Sequence, residues 1–319
     1  MYTLRGIAVC FSSFFLVYAG ASAAVILLRP RVCAYAQKRS PQICSNFLFS
    51  VRISPLLLTV LTTFLFAAPS FVMFEPRTVD EPIGACLPFL AFGGLAVIVA
   101  GLWNSISALR RISQTLVRWE RDASALNPPA GIGKHVTLLR TTATAPPLTA
   151  AGIFRPSVWL SSAAASVLSE SELGSALRHE FVHVERRDNL KKLLLRFVAF
   201  PGMAELESAW REAMELAADD GAVSNALEAL DLAAAVIKLS RLAPMAATGE
   251  LATSLVQSPA QSIHARVSRL LAWTGRPDSQ ARSHWMISLL CAAATLATLA
   301  LTYSQLLRQV HAATEWLVR

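Results

Sequence analysis

Charge is scarce in this chain. Only 16% of its 319 residues are Asp, Glu, Lys or Arg, while 54% are hydrophobic. The mean hydropathy is +0.46. An ordinary soluble domain is about a quarter charged, so this balance excludes one and points to membrane spans. Cysteine is also rare. Cys10, Cys33, Cys44, Cys86 and Cys291 are irregularly spaced, and three lie in or beside apolar runs. That pattern excludes a disulfide framework and a cysteine-type zinc site. Acid is missing altogether from residues 29–52, which hold Arg29, Arg31, Lys38, Arg39 and Arg52. The four tyrosines, Tyr2, Tyr18, Tyr35 and Tyr303, all lie outside 105–283.

What is present is a set of long apolar runs. Residues 7–28, 53–74, 84–103 and 284–303 are each long enough to cross a bilayer as a helix. Trp285 and Tyr303 bracket the last of them as an aromatic belt would. The first run competes with a signal peptide cleaved near Ala21-Ser22-Ala23. Apolar character continues past that point to Leu28, which favours an uncleaved anchor.

The acid-free stretch 29–52 sets the orientation. Short loops rich in Lys and Arg face the cytoplasm. The turn at 75–83 then lies outside, 105–283 inside, and the tail 304–319 outside again. The expected organisation is a membrane domain over 1–104, a cytoplasmic domain over 105–283, a fourth span at 284–303 and a short extracytoplasmic tail.

The net charge of +8 raises the question of nucleic acid. The segment 105–283 carries 20 basic and 17 acidic residues, an excess of only three. Most of the excess therefore flanks membrane spans, and no direct nucleic-acid binding is expected.

Within 105–283 the first element is an amphipathic helix over 105–122, with Ile106, Leu109, Ile112, Leu116 and Trp119 at helical spacing and arginines opposite. It leaves the third span in a form suited to a membrane surface. Residues 127–133 read as a loop, 135–144 and Val158-Trp159-Leu160 as strands. The free edge of such a sheet can take an extended peptide as an added strand. A purely structural hairpin fits the same residues. The apolar segment 190–202 is too short for a clear span, and 223–243 and 261–271 read as helices.

The chemistry centres on His179-Glu180-Phe181-Val182-His183. Two histidines at i and i+4 on a helix point the same way and can grip one Zn²⁺. Glu180 lies beside them, placed to take a proton from an attacking water. Ser169 and Glu172 form a capping box that starts the helix. With only six histidines in the chain, a chance pair is a weak explanation.

Catalytic zinc usually has three protein ligands. The segment Trp210–Asp220 supplies a third, with Glu212, Glu215 and Asp219 on one helical face. Glu215 is the expected ligand. Asp219, one turn on, is positioned to hold a ligating histidine by its second ring nitrogen. A solvated acidic face is the competing reading. An oxyanion donor is also needed; with no tyrosine in this segment, His264, Arg266 and His135 remain as candidates for oxyanion or substrate contacts.

His179-Glu180-x-x-His183, then Arg187-Asp188-Asn189, then Glu215-x-x-Ala218-Asp219 resemble the gluzincin pattern of integral-membrane metallopeptidases. The likeness is greatest to the BlaR/MecR family of membrane signal transducers. Gly152–Leu160 is similar to that family's strand before the active-site helix. Arg266-Val267 with Leu270 resembles an Arg-Ile-x-x-Leu element of related proteases. The resemblance covers roughly residues 100–275.

It implies a multi-pass α-helical protein of the bacterial cell membrane with an inserted α+β zinc peptidase domain. The implied function is signal transduction by cleavage of the chain itself or of a cytoplasmic helix-turn-helix repressor. That family's best-known members carry an extracellular penicillin-binding sensor after the fourth span, and none is expected here. Two other readings stay open: a catalytically silent transducer or scaffold, and a housekeeping protease of the CAAX-processing or heat-shock type.

Overall fold

The computed structural model describes residues 2–76, 84–126, 136–142, 145–242, 252–254, 260–275 and 285–318. The side chains of 252–254, 260, 261, 285–297, 299 and 316–318 are not described. The loop read at 127–133 and the candidate His135 lie outside these residues.

Three apolar runs lie inside helices longer than the runs themselves. Helix α1 spans Tyr2–Ala36, α2 Pro41–Thr62, α3 Ala68–Phe74 and α4 Cys86–Glu120. A π-helical turn, Thr63–Ala67, joins α2 to α3. Three helices, Tyr2–Ala36, Pro41–Phe74 and Cys86–Glu120, are long and apolar enough to cross a membrane. Their outward side chains are apolar, with Phe64 71% and Phe89 75% exposed. Such a surface needs lipid or protein cover, which points to membrane association. The fourth run, 284–303, falls in a helix running Trp285–Val318, and most of its side chains are outside the described residues.

Two expectations change here. The basic stretch 29–52 is not an open loop. It is helical on both sides of a short turn at 37–40, and Pro30 and Pro55 sit inside helices. The segment 105–122 is no separate surface helix. It continues α4 without a break, and Ala108, Ile112 and Trp119 are buried with Ala151 and Trp159 instead of facing lipid. A ready protein partner for an apolar face removes the need for a membrane surface.

The chain divides into two compact units. The first comprises Met1–Leu28, Ile53–Gly101 and Asp278–Arg319. Its helices meet at Val9, Phe71 and Leu87. Arg5 pairs with Glu75 at 2.9 Å, and Ser12 donates to the Leu87 carbonyl. A Cβ on Gly94 would stand 2.2 Å from the Phe11 carbonyl oxygen, so only glycine allows α1 and α4 this close. A π turn mispairs backbone carbonyls, and Tyr303 donates to that of Leu65 at 2.7 Å.

The second unit, Arg29–Arg52 with Leu102–Pro277, is α+β. Five short strands, β1 Ala123–Leu126, β2 Thr137–Thr141, β3 Leu148–Ala151, β4 Ser157–Ser161 and β5 Ala252–Ser254, lie in the order β1-β2-β4-β3-β5. β2 and β4 are parallel and the other pairs antiparallel. The sequence signals β2 and β4. The other three are too short to show a period of two.

Helices follow at α5 Ser162–Val167, α6 Glu170–Glu185, α7 Asp188–Phe197, α8 Ala204–Ala222, α9 Ala226–Leu242 and α10 Ala260–Leu271; the last helix, Trp285–Val318, is α11. The capping box forms as read: Ser169 Oγ accepts from the Glu172 amide, and the Glu172 carboxylate accepts from the Ser169 amide. α6 buries Ala176, Leu177 and Phe181 between the sheet (Leu148, Val158, Leu160) and α9 (Leu232, Val236, Leu239). That core fixes the rotation of α6 about its own axis. Of the segment 190–202, residues 190–197 fall in α7, with Leu195 buried and no membrane-spanning length.

Candidate metal centre

With its apolar stripe in the core, α6 turns His179, Glu180 and His183 inward. They are 0%, 0% and 2% exposed. α8 runs past on the other side and brings Glu215 to them. One ligand atom from each of His179, His183 and Glu215 lies within 4.8 Å of the others. The two Nε2 atoms are 3.1 Å apart, and Glu215 oxygens stand 3.5 Å from His179 Nε2 and 3.7 Å from His183 Nε2.

Both imidazoles are held from behind. His179 Nδ1 faces Asp219 Oδ1 at 3.0 Å, and His183 Nδ1 bonds Asp188 Oδ2 at 2.8 Å. Each ring therefore directs Nε2 toward the shared point, the usual arrangement behind a metal-ligating histidine. Nitrogen and carboxylate donors in a set of three suit Zn²⁺. The residues present fit such an ion.

Asp188 earns its place through an unusual backbone. Arg187 is the one non-glycine residue of positive φ among those described, at φ 53° and ψ 41°. This left-handed step ends α6 and starts α7 at once, which carries Asp188 back under His183. Lys191 also bonds Asp188, at 3.0 Å. The next residue, Asn189, donates to the carbonyls of Ala150 and Gly152 and pins α7 to β3.

Glu180 stands apart from the ligand set. Its Oε2 accepts from the Ala150 amide of β3 at 2.8 Å. Its Oε1 is buried with no hydrogen-bond partner among the described residues. A buried carboxylate oxygen left open is costly unless something binds it.

Arg266 closes the cluster from α10. It grips Asp219 through two nitrogens, at 2.8 and 2.6 Å, and its third lies 3.1 Å from Glu215 Oε2. Its guanidinium is therefore committed to the groups behind the metal point. His264, two residues earlier, is exposed. Glu212, on the same helix as Glu215, is exposed as well, so that helix splits between a solvated acid and two buried ones.

Electrostatics follow from burial and partners. Burial opposes the Glu215 carboxylate, but His183, His179 and Arg266 outweigh it and hold it down to about 2. Asp219 lies well below the usual carboxylate range because Arg266 and His179 overcome its burial. Burial likewise pulls His179 down, yet Asp219 and Glu215 hold it up to about 9. Burial pushes Glu180 up to about 8; His179 opposes this and Glu215 adds to it. Perturbed groups gathered in one place mark a functional site.

Two elements of the site are invisible in the residue pattern. The Ala150 amide acts through its backbone, so no side chain announces it. Asp188 leaves a faint signal, an acid five residues past His183, within a motif already singled out. Of the two strands read from sequence, neither is an edge: β2 and β4 lie inside the order β1-β2-β4-β3-β5. β3, which carries Ala150, lies between β4 and β5, so a substrate strand pairing with β3 itself would take the place of β5.

No family model matches the chain, and no curated protein matches it.

Proposed function

We propose that this chain is an integral-membrane zinc endopeptidase acting in signal transduction, which cleaves itself, a cytoplasmic transcriptional repressor, or both. One observation carries the reading. Two histidines and a glutamate converge with carboxylates behind both rings, and beside them a glutamate keeps one oxygen open.

His179, His183 and Glu215 would hold the ion. When bound, zinc supplies a Lewis acid that polarises the peptide carbonyl and lowers the pKa of water. Asp219 and Asp188 keep the two rings turned Nε2-inward, and Arg266 holds Asp219 and Glu215 in register. Glu180 Oε1 takes a proton from the attacking water and returns it to the leaving amine, as a general base and then acid. The Ala150 amide fixes the other Glu180 oxygen and so aims the first.

Self-cleavage draws support from β5. This segment of the same chain runs antiparallel to β3, Thr253 opposite Ala150, in the place and direction of a substrate strand. A four-span topology with the peptidase unit in the cytoplasm of a bacterial cell belongs to the same proposal. Retention of Glu180, which a silent scaffold has no chemical need for, favours the enzyme over that alternative.

Glu180→Gln tests the reading. It keeps size and the Ala150 contact but removes the base. Zinc content and folding should stay near wild type, while cleavage of the chain or of a co-expressed repressor falls by about 10²–10⁴-fold. Unchanged signalling in cells from this variant, with no cleavage by wild type under any stimulus, would establish the scaffold instead.

A further inference from the structure

A cavity of about 470 Å³ opens against the metal centre, lined by α4, α7 and α8. This is ample for a side chain and at the lower end of small-ligand sites. Glu215 belongs to both the ligand set and the cavity wall, so the two adjoin at this residue. The wall is cationic. Arg111 comes from α4, Lys192 and Arg196 from successive turns of α7, and Arg211 from α8. Its acids are already matched. Glu207 receives two nitrogens of the buried Arg52, at 3.1 and 2.8 Å, and Glu215 lies against Arg266 and the histidines.

Resting on the peptidase reading above, we propose that this cavity is a subsite for an acidic side chain of the peptide substrate, close to the scissile bond, with Lys192 setting the preference. A low-dielectric pocket lined by one sign of charge concentrates the opposite sign. Lys192 lies within electrostatic reach of Glu215, Asp188 and Glu180, on the side of the cavity wall nearest the metal centre. The shared residue Glu215 favours a peptide over a lipid headgroup, because a headgroup gains nothing from a place beside the metal centre.

The test uses the full chain in neutral-lipid nanodiscs with Glu180→Gln, so that peptides bind without turnover. Fluorescence anisotropy compares short labelled peptides that differ only by Glu or Gln, with that residue moved through every position. At one or two adjacent positions Glu should bind about tenfold more tightly than Gln, as expected of a charge-assisted contact. Lys192→Met should remove that difference and leave the Gln peptide unaffected; Lys192→Arg should keep it, and Lys192→Glu should transfer it to a Lys peptide. Should Lys192→Met fail to fold, Arg196→Gln and Arg211→Gln should each reduce the same difference. Equal binding of Glu and Gln everywhere, or a preference that survives all these variants, overturns the proposal. So does tight binding of short-chain phosphatidylserine over phosphatidylcholine, lost in Lys192→Met, with no peptide preference. A carboxylate preference without cleavage by the parent protein keeps the subsite and sinks the peptidase reading; cleavage without the preference does the reverse.

Discussion

Around Glu215 each buried charge is answered by another, so no single group can be removed without stranding a neighbour. Glu215→Ala should abolish most of the roughly one Zn²⁺ per chain expected of a three-ligand site, measured on purified protein. Full occupancy in that variant would move the ligand role elsewhere. Asp188→Asn and Asp219→Asn leave the ligands in place but weaken the grip on His183 and His179. Each should lower zinc affinity by about 10–100-fold in chelator competition. The two differ in stability. Asp219→Asn also removes the carboxylate that takes two nitrogens of the buried Arg266, and should cost about 3–5 kcal/mol. Asp188 is fully buried as well, but its cationic partner Lys191 is partly exposed and can turn to water, so Asp188→Asn should cost less. Equal loss in the two variants would mean that Arg266 finds another partner.

At the scale of elements, α6 depends on its first turn. Ser169→Ala should destabilise the second unit by about 1 kcal/mol in thermal unfolding. The same cap gives a pH dependence. Burial works against the Glu172 carboxylate, but Lys238 and Ser169 outweigh it and lower its pKa. A group lowered on folding stabilises above its unfolded pKa. That contribution is therefore present at neutral pH and is lost as pH falls from the ordinary carboxylate range through the lowered value. Lys238→Met should flatten this loss, and an unchanged acid limb would assign it to other carboxylates. Among the membrane helices, Gly94→Ala forces a methyl against the Phe11 backbone, which cannot rotate away as a side chain could. α1 and α4 must separate, and the variant should lose about 1–3 kcal/mol. Stability equal to wild type would mean that the two helices do not depend on this approach.

At the scale of the whole molecule, the question is which side of the membrane each segment faces. The basic residues of 29–52 are the sequence's signal for orientation, and by the positive-inside rule the second unit is expected on the cytoplasmic side. Reporter fusions after Asp122 and after Arg308 should give signals from opposite sides; signals from the same side would remove the fourth span. The second unit takes in Arg29–Arg52 along with the later segment. Arg52 reaches Glu207 and the Val198 carbonyl, and Arg186, at the end of α6, reaches Ser45 and Gln42. Within this unit, residues 42–52 of α2 are thus bonded to α6 and α8.

His179, Glu180 and His183 were readable as one helical face, and Glu215 with Asp219 as another, because spacing decides which side chains share a face; that the two faces meet is seen only in the structure. The capping box and the apolar runs were readable for the same reason: their physics is local, confined to one turn or one span. Arg266 could be named as a candidate but not placed. Only tertiary structure puts it on Asp219, 47 residues away, since that pairing depends on how α8 and α10 cross. The Ala150 amide, the covering of β3 by β5 and the cationic cavity are likewise products of distant segments meeting. They rest on backbone groups and on charges that are individually ordinary, and sequence spacing carries no trace of either.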